Sequence, residues 1–382
     1  MENKKNKIKR ILFVSTRNPK SKRFSGDVIQ SNKIINILKK KNFLDVVTLD
    51  QRENFSKKNM FIFKRPVFIL QIFYVIKCLL CLRPLQLGLF YSEDMKKFID
   101  QRALNYDLIF FYHIRSAQYL PKNYYGKTII EMGDLYSDNY KQTFDNLSLL
   151  NPLKYIYYLE SILVNKLEKE IFKNFDKIVL FSKIEIKKID KFFLKKIIHI
   201  NISIDKIFRK YTFSKNEKKI LFIGNLNYLP NILAVKSFIK DILPKLKKNI
   251  PDIQFEIVGQ INKLDRYLLS FNKNVKCWGA QRNLEKFIKG SFCGIANLKI
   301  ASGIQSKVLS YMSYGLPVIC SKKVASNFNK NVISYTDDND FINKIRKLKN
   351  DKKFNNQIAK KSLRFVNKFT WSKVQKEYLK IT

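Results

Sequence analysis

The sequence predicts two Rossmann-like α/β domains in tandem, and three observations carry that expectation. At 382 residues the chain is too long for one ordinary core, since a domain commonly takes about 100–200 residues. Apolar residues make up 46% and aromatics 14%, enough to fill such cores and to exclude a disordered chain. Short apolar runs alternate with longer amphipathic stretches, as in a parallel sheet with helices on both faces, and the rhythm restarts after Tyr211.

In the first half, residues 11–15 read as a buried parallel strand followed by a polar loop with Gly26. Val28, Ile29, Ile34, Ile35, Ile37 and Leu38 then recur at helical spacing over 28–41. Residues 45–49, 108–112, 128–131 and 178–182 read as further strands, and 154–175 as a long amphipathic helix. In the second half, strands at 219–223, 254–258 and 275–278 run into Gly224, Gly259 and Gly279, with helices at 231–249 and 284–289. Residues 293–297, 306–314 and 317–320 repeat strand, helix, strand. The polar stretch 205–218 reads as the linker, giving expected domains 1–205 and 206–365. The last helical stretch, 355–379, is interrupted at 369–371, so that a terminal helix from about 366 to 382 crosses back onto the first domain. Two such domains enclose a cleft, and ligands of open α/β sheets bind at the carboxyl ends of strands, where these glycines lie.

The balance of 74 basic against 31 acidic residues, a formal charge of +43, sets up a field that attracts polyanions and anionic lipid surfaces. The lysines fall on every segment, a bias that nucleotide composition alone can produce. No discrete basic helix with base-reading side chains stands out, which argues against nucleic acid as the partner. Five scattered cysteines fit a reducing cytoplasm and no disulfide framework. Cys78 and Cys81 form a C-x-x-C inside VIKCLLCL without a second pair, and read as small apolar helix residues. Behind the basic start MENKKNKIKR the apolar run ILFV is too short for a signal peptide. The most apolar stretch, 66–90, is interrupted by Lys77 and Arg83 and cut by Pro84, too short to span a bilayer. It reads as a helix lying on the membrane surface or, equally, as a buried amphipathic one.

Several spaced segments resemble the group-1 glycosyltransferases of the GT-B architecture, in particular sugar transferases of bacterial surface-polysaccharide systems. In the second half these are LFIGNLNYLPNILAVKSFIKDILPKL, IQFEIVG, VKCWGAQRNLEKFIKG and IASGIQSKVLSYMSYGLPVIC. In the first half SGDVIQSNKIINIL, RPLQLGLFYS, GDLYSDNYKQTF and KNFDKIVLFS are similar to the same subgroup. The resemblance implies a retaining transferase that moves a sugar from a nucleotide-diphosphate donor to a polysaccharide or lipid-linked glycan. It would work in the cytoplasm, peripherally on the inner membrane face.

Such a site must stabilise negative charge on a departing phosphate, and the orphan amides and dipole of a helix N-terminus do so. Ser302, Gly303, Ile304 and Gln305 open such a helix, with Lys307 as a cation, while Gly224, Asn225 and Gly279 supply close-approach turns. With two histidines and no carboxylate cluster at ligand spacing, no metal and no further cofactor are expected. The family places glutamates where this chain has Ser302 and Ser310, and the second commonly holds the nucleotide ribose, so a catalytically inactive binding or scaffold protein is the alternative. In the first half the family often carries a histidine in the stretch that here reads EMGDLYSD. Asp134 is the candidate there for contact with donor sugar or acceptor hydroxyl, its other reading being a helix N-cap. His113 ends a strand and is the second catalytic candidate, and Gly26 and Asp27 are candidates for shaping the acceptor loop.

Overall fold

The computed structural model describes residues 8–21, 26–51 and 55–382; the basic segment 1–7 and Ser25 of the SGDVIQ motif lie outside the described residues. The chain divides into two compact units, residues 1–201 with 374–382 and residues 202–373.

The first unit holds strands β1 (Arg10–Ser15), β2 (Phe43–Asp50), β3 (Phe55–Lys57), β4 (Met60–Lys64), β5 (Leu108–Tyr112), β6 (Lys127–Gly133), β7 (Lys177–Leu180) and β8 (Ile197–His199). They lie in the order β3-β4-β2-β1-β5-β6-β7-β8, parallel except for β3 against β4. Its helices are α1 (Gly26–Lys39), α2 (Phe68–Leu80), α3 (Leu85–Leu89), α4 (Glu93–Arg102), α5 (Tyr136–Asn146), α6 (Leu153–Asn174) and α7 (Lys183–Ile186). The second unit's strands are β9 (Lys219–Ile223), β10 (Gln254–Val258), β11 (Val275–Cys277), β12 (Ser291–Ala296), β13 (Val318–Ser321) and β14 (Ile333–Tyr335), all parallel in the order β11-β10-β9-β12-β13-β14. Around them run α8 (Leu229–Ser237), α9 (Leu243–Asn249), α10 (Lys263–Ser270), α11 (Glu285–Lys289), α12 (Ser306–Tyr314), α13 (Lys322–Ala325), α14 (Asp338–Asn350) and α15 (Lys352–Val366), followed by α16 (Trp371–Ile381).

The central strands are apolar throughout because helices cover both faces of each sheet, so the residues of β1, β5, β9 and β12 are buried almost without alternation. Three expectations change. The helix expected over 231–249 is broken by a wide π-turn at Phe238–Ile242, just before Pro244, which has no N–H to give the preceding turn. The terminal stretch is interrupted where expected and so is two helices, but after α15 ends at Val366 a short turn and an extended Thr370 delay the start of α16 to Trp371 from the expected 366. The apolar stretch 66–90 is also two helices, parted where Leu82 takes a positive φ of 49° ahead of Pro84.

Helix α2 lies open on the surface of the first unit. None of its residues is buried, and Phe68, Ile69 and Leu80 are exposed to 74%, 77% and 79%. The buried-helix reading is therefore excluded. No helix among the described residues is long and apolar enough to cross a membrane.

The last helix closes the first unit through a buried polar pair. Tyr378 donates to the Glu131 carboxylate at 2.5 Å and accepts from Gln30 Nε2 at 3.2 Å, and Glu131, in the middle of β6, is 2% exposed. Burial pushes the Glu131 carboxyl up to about 8. The unfolded chain releases this proton near pH 4.5 while the folded chain keeps it to about 8, so this contribution to stability is present at low pH and lost as pH rises through that window. Glu131→Gln keeps an acceptor for Tyr378. It should raise Tm relative to the native chain by more at about pH 8 than at about pH 5 in thermal unfolding; the same difference at both would refute the assignment.

Candidate functional site

In the second unit the turns after three neighbouring strands are laid against one another. Gly224 N–H donates to the Val258 carbonyl at 2.9 Å, and Gly259 N–H to the Gly279 carbonyl at 2.8 Å. A Cβ on Gly259 would stand 1.8 Å from the Gly224 carbonyl oxygen, and its φ of +153° is also one that side chains rarely adopt. Gly279 sits at φ +71° with open space where a Cβ would point. Gly303, at φ +59°, makes the left-handed turn that leads into α12. Gln305 caps that helix without a side-chain bond to its amides, because its Nε2 donates back to the Ser302 carbonyl at 2.8 Å. Ile304 packs against the unit's core. At the other end Gly315 takes φ +85°, and Leu316 N–H closes onto the Tyr311 carbonyl at 3.0 Å.

Lys307 differs from its expected place. It is 7% exposed, its ammonium donates to Asn231 Oδ1 at 2.5 Å, and it lies 4.2 Å from the centre of the Phe222 ring. Burial depresses its proton affinity to about 7. Asn231 Nδ2 in turn donates to the Asn225 carbonyl at 2.8 Å. A Cβ on Gly224 would meet Asn231 Nδ2 at 3.0 Å and Lys307 Nζ at 3.2 Å. The lysine is thus not an open surface cation but a charge set behind the Gly224–Asn225 turn, with Asn231 as the link that the sequence reading missed. Tyr311, also missed, fixes α12 to β9: its hydroxyl accepts from Ile223 N–H at 2.6 Å and donates to the Leu221 carbonyl at 3.1 Å. Ser310 turns its hydroxyl back to the Ser306 carbonyl at 3.1 Å.

In the first unit the carboxyl ends of β1, β5 and β6 are adjacent, and the remaining candidates gather there. His113 follows β5 at φ 73°, a conformation costing a non-glycine residue about 1–3 kcal/mol. It is held there by its N–H on the Glu131 carbonyl at 2.8 Å and by Ser116, whose N–H and hydroxyl both donate to its carbonyl. Its Nε2 shares a 2.6 Å hydrogen bond with the Tyr136 hydroxyl, while Nδ1 is buried without a partner among the described residues. Burial, with Arg115 and Arg17 nearby, holds the imidazole well below its ordinary range and therefore neutral. Asp134 Oδ1 is likewise buried and unpartnered, and burial pushes that carboxyl up to about 7. Asp134 does not cap α5: the first turn of that helix is instead capped by Glu168, which accepts from Ser137 N–H at 3.1 Å and from its hydroxyl at 2.5 Å.

Asp27, in the first turn of α1, pairs with Arg17 at 2.5 Å, and its carbonyl accepts from the Tyr112 hydroxyl at 2.9 Å. Gly26 opens α1 with nothing within 4 Å of an added Cβ, so the turn does not demand glycine. All five cysteines, including Cys78 and Cys81, are unpaired.

The chain's comparisons agree with this architecture. Residues 217–351 match the family described as "Glycosyl transferases group 1". Among solved structures, Anabaena HepE in complex with UDP and glucose is 12% identical, with a TM-score of 0.64 over 98% of this chain and 99% of that one. A mutant of S. aureus TarM with Fondaparinux, alpha-GlcNAc-glycerol and UDP is 10% identical, at 0.63 over 98% and 99%. The lipopolysaccharide outer core galactosyltransferase WaaB is 11% identical, at 0.57 over 97% and 98%. At these identities the likeness is one of fold, that of the GT-B glycosyltransferases. No curated protein sequence matches the chain.

The glycine contact can be tested directly. Gly259→Ala should destabilise the fold by about 2–4 kcal/mol in urea unfolding, because its Cβ and the Gly224 carbonyl cannot share that space. An unchanged midpoint would show that the two turns are not in contact.

Proposed function

We propose that this glycosyltransferase moves a sugar, with retention of configuration, from a nucleotide-diphosphate donor to a polysaccharide or lipid-linked glycan in bacterial cell-surface synthesis. The observation that carries the reading is the packed turn at Gly224 and Gly259 together with the uncapped opening of α12, all on the carboxyl edge of one sheet. Backbone can approach a diphosphate closely there, and first-turn amides meet the charge that grows on the leaving phosphate. Lys307, behind the Gly224–Asn225 turn, adds positive charge when protonated, and the reading calls for no metal. His113 and Asp134 each keep one buried atom for a hydroxyl of the donor sugar or the acceptor. The likeness to HepE and TarM, solved with UDP, supports a uridine nucleotide as the first donor to try.

The exposed apolar α2, with Lys77 and Arg83 beside it, would rest the first unit on the cytoplasmic leaflet. Each well-placed basic residue there contributes about 1 kcal/mol toward anionic lipid. The alternative, a protein that binds without turnover, is favoured by Ser310, whose hydroxyl is spent on its own helix where the family has a glutamate.

Purified protein should hydrolyse or transfer from at least one member of a nucleotide-sugar panel, with the rate unchanged by EDTA. Silence across the panel together with no nucleoside-diphosphate binding in calorimetry would refute the transferase reading, whereas binding without turnover would select the alternative. Lys307→Ala should lose at least about tenfold in nucleoside-diphosphate affinity; native affinity would remove the lysine from the site. Phe68→Glu with Ile69→Glu should abolish co-sedimentation with vesicles containing phosphatidylglycerol, and retained sedimentation would move membrane contact elsewhere.

A further inference from the structure

Helix α10 of the second unit turns its apolar side outward. An amphipathic helix of an α/β unit normally lays its apolar stripe on the core, as α14 does with Phe341, Ile342, Ile345 and Leu348. In α10 only Leu269 is buried. Leu264, Tyr267, Leu268 and Phe271 recur at i, i+3, i+4 and i+7 and so share one face, yet they are exposed to 68%, 62%, 49% and 70%. The Tyr267 and Phe271 rings meet edge to face at 4.8 Å, which makes the stripe one continuous surface and not a scatter of single side chains. The helix itself is well anchored. At its start Asn262 Oδ1 accepts from Asp265 N–H at 2.8 Å, and Asn262 Nδ2 donates to the Asp265 carboxylate at 2.6 Å. Lys236, on α8, pairs with Asp265 at 2.8 Å and holds that carboxyl below its ordinary range.

Charge decides what covers the stripe. Between residues 260 and 278 the acidic residue is Asp265 alone, already taken up by Lys236, against Lys263, Arg266, Lys273 and Lys276, all exposed. A second copy of this chain would bring the same unbalanced positive charge against itself. A helix of eight residues, about 12 Å long, also falls well short of the roughly 20–30 residues a side of a stable protein interface. An anionic bilayer answers both features. Aromatic and aliphatic side chains settle at the depth of the headgroups, while lysine and arginine stay beside the lipid phosphates.

We propose that α10 is a lipid-contacting helix, through which the second unit makes its own contact with an anionic membrane surface. The proposal goes beyond the contact assigned to α2 and rests on that reading for the bilayer as partner. A helix of two turns holds lipid weakly, so α10 acts as the second of two contacts on one chain, which together hold more tightly than either alone.

The test uses the full chain and vesicles of phosphatidylcholine with or without phosphatidylglycerol. Leu264→Glu with Leu268→Glu should weaken co-sedimentation with the anionic vesicles at least about fivefold while Tm stays unchanged. In Phe271→Trp the added tryptophan should be quenched by brominated phosphatidylglycerol beyond any quenching of the native chain, a reading that needs no loss of binding. Native sedimentation in the first variant, or no added quenching in the second, would overturn the proposal and leave the contact through α2 standing. Equal binding to neutral and anionic vesicles would overturn the charge argument on which the choice of lipid rests. A change from dimer to monomer in the double variant, with vesicle binding unchanged, would overturn it in favour of a second copy of the chain. A native chain that sediments with neither vesicle would strike this contact and that of α2 together, while the nucleotide reading would still stand or fall on UDP binding.

Discussion

The contact between the Gly259 turn and the Gly224 carbonyl is the constraint on which the second unit's site depends. Two backbones touch there with no side chain between them, which only glycine permits. That approach aligns the ends of β9 and β10, and the Gly259 N–H on the Gly279 carbonyl extends the alignment to β11. Lys307 then has one place to put its ammonium, behind the turn and onto Asn231. Tyr311 fixes the angle of α12 by occupying Ile223 N–H and the Leu221 carbonyl together, and Gly294 is bare because a Cβ there would stand 2.7 Å from that ring.

The first unit is organised by buried polar side chains instead. Glu131 and Tyr378 tie the last helix to the middle of the sheet, and Glu168 ties α6 to the start of α5. These are satisfied groups, and they hold in place two that are not, His113 Nδ1 and Asp134 Oδ1. Such atoms cost about 1–3 kcal/mol each when left without a partner. Their position next to a strained φ at His113 points to the same stretch of sheet edge, where cost is tolerated in exchange for chemistry.

How much of this the sequence discloses follows from how local each feature is. The central strands and their terminal glycines are legible because a buried parallel strand writes itself as an unbroken apolar run. The strands β3 and β8, each three residues long, leave no such run, whereas β4 does, in MFIF, and is missed nonetheless. The opening of α12 was legible because turn, helix and closing glycine lie within a dozen or so residues of one another. Asn231, which captures Lys307 from 76 residues away, was not, nor was the Tyr378–Glu131 pair, separated by 247. Arg17 and Arg115, both near His113, were lost among 74 basic residues, since charges from separate segments leave no joint signature in a sequence. Composition displayed the charge but concealed its geometry.

On the proposed reading the second unit meets negative charge through backbone rather than through an ion pair. The proposed receiving groups are amide dipoles, and behind them lies Lys307, whose burial brings its pKa down to about 7. A diphosphate arriving in front of the Gly224–Asn225 turn would oppose that desolvation and draw the proton back onto Lys307, so the site's charge is greatest when it is occupied. Departure of the nucleotide reverses the effect, leaving the lysine on Asn231 and near neutrality. On this reading a buried lysine strengthens the grip while the phosphate is there to be held.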